Sequence, residues 1–202
     1  MSKSKINSIL LVTLAAILAF LYLFPTEPGI KTAEENTRAL IGGPFTLTNH
    51  LGKPATSENF LGKYMLIYFG YTYCPDVCPM ELQIMADALD QLPRETLDQI
   101  APLFITIDPD RDTVEILAQY VPTVHPSLEG LTGTAEQIAA VKQAYRVYGS
   151  KEKVAEGTAA DSYLMGHTSY IYLMDQKGDY VTHFRSRTDP KVMAQRLHEV
   201  IG

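Results

Sequence analysis

Cysteine is nearly missing from this chain: 202 residues contain two, Cys74 and Cys78. Two are too few to build a disulfide scaffold, so the pair is either chemistry or one local bridge. Positive charge is also short, with 17 Lys and Arg against 23 Asp and Glu and a net charge of -6. Lys3 and Lys5 precede the first apolar run, and beyond residue 24 the balance is 15 basic against 23 acidic, a net of -8. So acidic a body lacks the basic footprint that phosphate contacts require, which argues against nucleic acid as a partner. Internal repeats and low-complexity tracts are absent, and no proline occurs between Pro126 and Pro190. What is present is 46% hydrophobic and 20% charged, a composition that packs a core and argues against wholesale disorder. The length suits one ordinary domain plus something extra.

The extra part is the N-terminal segment. Residues 1–5 carry Lys3 and Lys5, and Ile6 to Phe24 (INSILLVTLAAILAFLYLF) follows without a charge. That run is long enough to span a bilayer as a helix. Acidic residues start only at Glu27, so the positive-inside tendency leaves the short N-terminus in the cytoplasm and the rest across the membrane. A cleaved signal peptide is the alternative. Against it, the run exceeds the usual apolar region and no Ala-x-Ala pattern follows; nor does a cysteine near its end offer a lipid site. We read an uncleaved single-span anchor over 6–24 and an aperiodic linker over 25–40. The folded domain then occupies 41–202. The N-terminus also lacks a basic presequence, which suggests a bacterial inner membrane with the domain on its periplasmic side.

Along the domain, Phe45 to Asn49 alternates apolar and polar residues before a turn at Asn49-His-Leu-Gly-Lys53, the pattern of a short hairpin. Tyr64 to Tyr71 and Ile100 to Ile107 are continuous apolar runs, as in strands buried on both faces. Helical spacing covers Pro79 to Leu92, Thr134 to Tyr148 and Asp189 to Ile201. Asp112-Thr-Val-Glu115 reads as a capping box for a helix through Tyr120, and Leu128 to Thr132 as a weak strand. Ser169 to Asp175 and Tyr180 to Arg185 form a hairpin about Gln176-Lys-Gly178. Strands alternating with helices and ending in an antiparallel pair predict an α/β fold, a mixed central sheet flanked by helices on the thioredoxin-like plan.

Cys74 and Cys78 sit in Gly70-Tyr-Thr-Tyr-Cys-Pro-Asp-Val-Cys-Pro-Met-Glu-Leu82, between a buried strand and the next helix. Reactive groups in open α/β sheets collect beyond the carboxyl ends of strands. Pro79 predicts a helix beginning right after Cys78, which puts both sulfurs near its positive end and favours thiolate. Three readings remain open: a local disulfide or two inert buried thiols, a dithiol oxidoreductase with one residue more than the usual spacing, and a metal site completed by a distant histidine. Soft sulfur donors favour Cu(I).

The cysteine segment resembles the signature of the Sco/SenC copper-chaperone family. Two further blocks fit in the right order, Thr106-Ile-Asp-Pro-Asp-Arg-Asp-Thr113 and Met165-Gly-His-Thr-Ser-Tyr-Ile-Tyr-Leu-Met-Asp175, and the similarity runs from about Phe45 to the C-terminus. The resemblance implies one copper ion, Cu(I) and in some states Cu(II), held by Cys74, Cys78 and His167. It implies a role in assembling the binuclear copper site of cytochrome c oxidase, by delivering metal, by keeping the recipient's cysteines reduced, or both. The implied partners are the copper-site subunit of the oxidase, and another copper chaperone or a thiol reductant. The rival functions are a thiol-disulfide reductase using Cys74 and Cys78, and a copper or redox sensor.

His167 stands just before the strand at Ser169, where thioredoxin-like enzymes keep a cis-proline facing their cysteines. The proline gap from 126 to 190 means that this chain has a histidine there instead, and a neutral imidazole completes a Cys2His set. His50, His125, His183 and His198 are read as surface or packing residues. Asp108-x-Asp110-x-Asp112 begins like a calcium loop but has Thr113 at the glycine position and Gln119 at the closing glutamate, so it is read as a turn and cap. Asp76 either tunes the cysteines or solvates the loop, and Met165 is kept as a thioether candidate. The polar stretch between Tyr148 and Tyr163 is expected to be mobile and, leading to His167, to open or close the site.

Overall fold

Two apolar runs set the centre of this fold, because neither has a polar face to offer water. In the computed structural model, which describes residues 20, 41–153 and 163–202, both become strands of one sheet. In chain order the elements are β1 (Thr46–Asn49), β2 (Pro54–Thr56), a 3-10 turn (Ser57–Phe60), β3 (Tyr64–Gly70), α1 (Val77–Asp90), α2 (Arg94–Leu97) and β4 (Ile100–Thr106). There follow α3 (Val114–Val124), β5 (Glu129–Thr132), α4 (Ala135–Ala144), β6 (Gly149–Lys153), β7 (Tyr163–His167), β8 (Ile171–Met174), β9 (Tyr180–Phe184) and α5 (Pro190–Ile201).

Seven strands pair in the order β2-β1-β5-β4-β3-β8-β9, and β6 pairs with β7 in a separate two-stranded sheet. β3, β4 and β5 are parallel, whereas β1, β8 and β9 join antiparallel to their neighbours. Met65 to Phe69 and Leu103 to Ile105 are buried, as strands covered on both faces must be. α1 packs on α5, α3 on β5 and α4 on β1, giving the helix-flanked mixed sheet expected of a thioredoxin-like chain.

The chain divides into units Met1–Asn36 and Thr37–Gly202. Apart from Phe20, the expected anchor over 6–24 and the linker over 25–40 lie outside the described residues. Among the described residues no helix is long and apolar enough to cross a membrane.

Several boundaries differ from expectation. α1 starts at Val77 rather than after Cys78, so Cys78 and Pro79 lie in its first turn, where a missing N–H costs no helical bond. The cap of α3 is Thr113, whose hydroxyl accepts from the Ile116 N–H, and α3 runs past Tyr120 through Pro122 to Val124. α4 stops at Ala144, short of Tyr148, because Arg146 turns left-handed (φ 55°). The one-turn α2 and strands β6 and β7 have no counterpart in the sequence reading. The stretch expected to be mobile contributes β6, and its centre, 154–162, lies outside the described residues.

Candidate metal centre

The two cysteines differ because they sit at different depths on one turn. β3 ends at Gly70, and a β-carbon there would fall 2.8 Å from Tyr68 Cε1, 3.0 Å from Phe104 Cε2 and 3.1 Å from Cys78 Sγ. Only glycine lets the Cys78 sulfur pack against the strand end. Cys78 is fully buried, whereas Cys74 in the loop above is partly exposed. The Cys78 N–H donates to Cys74 Sγ at 3.4 Å. The Cys78 thiol donating to Cys74, with smaller help from the Asp76 and Cys78 backbone amides, holds Cys74 well below the usual thiol range. That same bond, together with burial, pushes Cys78 well above it. The two sulfurs therefore titrate as a pair, with the proton favoured on the buried Cys78 and the negative charge on Cys74. Asp76 is exposed at the cap position and its carboxylate caps nothing; it acts on Cys74 through its backbone.

His167 closes β7 on the other side. Its Nδ1–H donates to the Thr168 carbonyl at 3.0 Å, and a carbonyl only accepts, so that bond selects the tautomer. The Nε2 lone pair is left 3.2 Å from Cys78 Sγ. Two tyrosine rings hold the imidazole edge-on, Tyr68 at 6.2 Å and Tyr71 at 6.0 Å between centroids. Cys74 Sγ, Cys78 Sγ and a His167 ring nitrogen all lie within 4.8 Å of one another, and they are the only such grouping of three or more His, Cys, Asp and Glu among the described residues. Two soft sulfurs and one imidazole nitrogen fit Cu(I) and give nothing to a hard cation. Beside them the Tyr68 hydroxyl is fully buried, and burial with the adjacent Cys78 sulfur drives its ionisation far up, so it stays a neutral phenol.

The remaining candidates take structural places. The aspartate triplet is no calcium loop: Asp112 is buried, and its carboxylate accepts from the Thr72 N–H (3.0 Å), the Thr72 hydroxyl (2.5 Å) and the Thr106 hydroxyl (2.6 Å). Burial raises its pKa, against those bonds. Sequence reasoning missed this clamp on the cysteine loop, since it assigned Asp112 to the start of α3, whose cap is Thr113. Met165 is buried in the core, and its N–H donates to the Tyr71 hydroxyl at 3.2 Å. The other histidines pack as expected: His50 accepts from the Gly130 N–H, His125 meets Asp90 and Ser127, His183 stacks on Tyr170, and His198 meets Thr96.

A family model described as SCO1/SenC matches residues 33–202. The human "Protein SCO1 homolog, mitochondrial" is 42% identical over 174 residues, 84% of this chain and 57% of that protein. A "SCO2-like protein" of Rickettsia felis is 35% identical over 206 residues and 98% of both chains. The chain spans 57% and 60% of the length of the human and mouse mitochondrial relatives it matches. Among solved structures, "Bradyrhizobium japonicum ScoI with copper bound" aligns with a TM-score of 0.71 at 41% identity, over 79% of this chain and 98% of that one. "Yeast Sco1 with Copper Bound" aligns with a TM-score of 0.70 at 38% identity, over 79% and 87%.

Proposed function

This chain belongs to the SCO1/SenC family, and from that premise we propose that it is a membrane-anchored copper chaperone. It binds one Cu(I) through Cys74 Sγ, Cys78 Sγ and His167 Nε2 and assists assembly of the binuclear copper site of cytochrome c oxidase. The observation that carries the reading is the convergence of three donors with the imidazole tautomer already set. Relatives about two-fifths identical have been solved with copper bound.

The geometry supplies the loading chemistry. Cys74 is a thiolate before metal arrives, so it takes the first bond from the exposed side. Cys78 must then lose its proton, which couples loading to proton release and weakens binding in acid. His167 Nε2 needs no tautomer change to follow. Release to a recipient runs the sequence backwards, with His167 leaving first and the bond to the partly exposed Cys74 broken last.

The apolar run at 6–24 anchors the domain at the periplasmic face of a bacterial inner membrane. In that oxidising compartment the two thiols must be kept reduced before copper binds, which calls for a thiol reductant, and another copper chaperone would supply the metal. The asymmetry of the pair supports a second reading, a dithiol reductase. Cys74 thiolate attacks a recipient disulfide, one recipient thiolate leaves, and Cys78 displaces the second, so two electrons pass to the recipient and the Cys74–Cys78 disulfide forms.

An anaerobic copper titration of the reduced protein separates the two readings. The chaperone requires one ion per chain, with binding weakened by Cys74→Ser, Cys78→Ser and His167→Ala. Copper binding indifferent to His167, with disulfide reduction intact in His167→Ala, would replace it with the reductase.

A further inference from the structure

His167 is not placed by the main sheet alone. β8 holds the chain after it, but among the described residues the strand that carries it, β7, pairs with β6 alone, and neither is a strand of the seven-stranded sheet. What ties the far end of β7 to the domain is the Asp108–Asp112 segment beyond β4, to which no metal role attaches. Arg111 Nε–H donates to Asp108 Oδ2 at 2.5 Å, and its Nη1–H donates to the Tyr163 carbonyl at 3.0 Å. The Tyr163 hydroxyl returns to Asp108 Oδ1 at 2.7 Å. The guanidinium carbon lies 3.7 Å from the centre of the Tyr163 ring, 5.0 Å from Tyr73 and 5.6 Å from Tyr71. Asp108 itself is buried and its N–H is held by Thr106 Oγ1, so the bracket is fixed to β4.

One guanidinium thus touches both halves of the site. On one side are Tyr71 and Tyr73 of the cysteine loop. On the other is Tyr163, the first residue of β7, four residues before the ligand. Tyr71 links the two again, since its hydroxyl accepts the Met165 N–H and its ring meets the His167 ring. A strand transmits a displacement along its length, over about 13 Å for these residues at ~3.3 Å each. A slip of about 1 Å at a ligand is enough to degrade a metal site.

We propose that Arg111, seated on Asp108, is a positioning residue for the copper site: it locks the start of β7 to the cysteine loop so that His167 Nε2 meets the two sulfurs. The inference rests on the three-ligand reading above. It assigns Arg111 no contact with metal and no part in transfer.

The test is a double-mutant cycle on the full-length purified chain, reading Cu(I) affinity by competition with a chromophoric chelator. The Cu(II)-loaded form is also read by paramagnetic resonance for imidazole nitrogen coupling. Arg111→Met is expected to weaken copper about tenfold or more, the usual range for outer-shell positioning groups, while the cysteine-only binding remains. Arg111→Lys should stay near the methionine value, because a point charge cannot bridge Asp108 and the Tyr163 carbonyl. In a His167→Ala background Arg111→Met should cost nothing further, and the nitrogen coupling should weaken in Arg111→Met alone. Tyr163→Phe, which removes only the hydroxyl, should lose about two- to fivefold and decides the matter if Arg111→Met does not fold. Unchanged affinity in a folded Arg111→Met, or an equal loss with and without His167, overturns the inference. A wild-type chain whose copper binding ignores His167→Ala overturns the three-ligand reading as well; His167-dependent binding with Arg111 silent overturns this inference alone.

Discussion

The two halves of the metal centre are built on opposite principles. The cysteine half is local: strand, six-residue loop and helix follow one another without interruption, and buried parallel strands hold the base. Gly70 and Asp112 fit that half to the core, one by leaving space and one by accepting three hydrogen bonds. The histidine half comes from 89 residues further along the chain, on a two-stranded ribbon outside the main sheet. The core holds the two sulfurs at their spacing, whereas the histidine is held against them through side-chain ties to its ribbon, above all those about Tyr163 and Tyr71.

The sharpest way to break the comparison is to ask whether the cysteine half is preset before any metal binds. Cys74 sits below the usual thiol range, so lowering the pH through the ordinary thiol pKa should leave its thiolate in place. In the reduced, copper-free protein its iodoacetamide rate should change by less than about threefold between about pH 8.5 and pH 5.5, where an ordinary thiol slows about five-hundredfold. Cys78, buried and raised, should stay unmodified until the protein unfolds. A Cys74 rate that falls in step with pH would show that the pair shares no proton and that the loop is not preset.

A smaller but global effect is expected at Asp112. Asp112→Ala strands the Thr72 N–H and the hydroxyls of Thr72 and Thr106 in a buried corner. The loss should be about 2–4 kcal/mol in urea unfolding, and a single cooperative transition should persist. If instead the midpoint held and only copper binding suffered, the cysteine loop would be as detachable as the histidine ribbon and the contrast would fail.

The difference between the halves also governs what the sequence discloses. The apolar run ending at Gly70, the cysteine spacing and Pro79 lie within a dozen residues, so strand, loop and helix start can be read together, with an error of two residues at the helix start. Asp112 was readable as a polar residue at a turn but not as a clamp, because its partner Thr72 is 40 residues away and pairing at that distance leaves no local pattern. β6, Gly-Ser-Lys-Glu-Lys, shows no apolar alternation, and its strand character comes from pairing with β7. His167 could be singled out only through the motif it resembles and the missing proline; nothing in its neighbourhood states which nitrogen is free. That information lies in one bond to the Thr168 carbonyl.

The smallest effect tests the ribbon from its outer edge. Lys151 of β6 donates to Asp110 at 2.7 Å, with the two side chains 54% and 61% exposed. This pair ties the Asp108–Asp112 segment to β6, and it is the kind of solvent-exposed contact that seldom contributes measurably once side-chain entropy and salt screening are included. Lys151→Met should therefore leave the urea midpoint and copper affinity unchanged within error, at low salt as well as high. That outcome would leave the hold on the ribbon with the part-buried bonds about Tyr163 and the buried one at Tyr71. A salt-dependent loss of copper affinity in Lys151→Met would move the hold to the surface, and the histidine half would then respond to ionic strength where the cysteine half cannot.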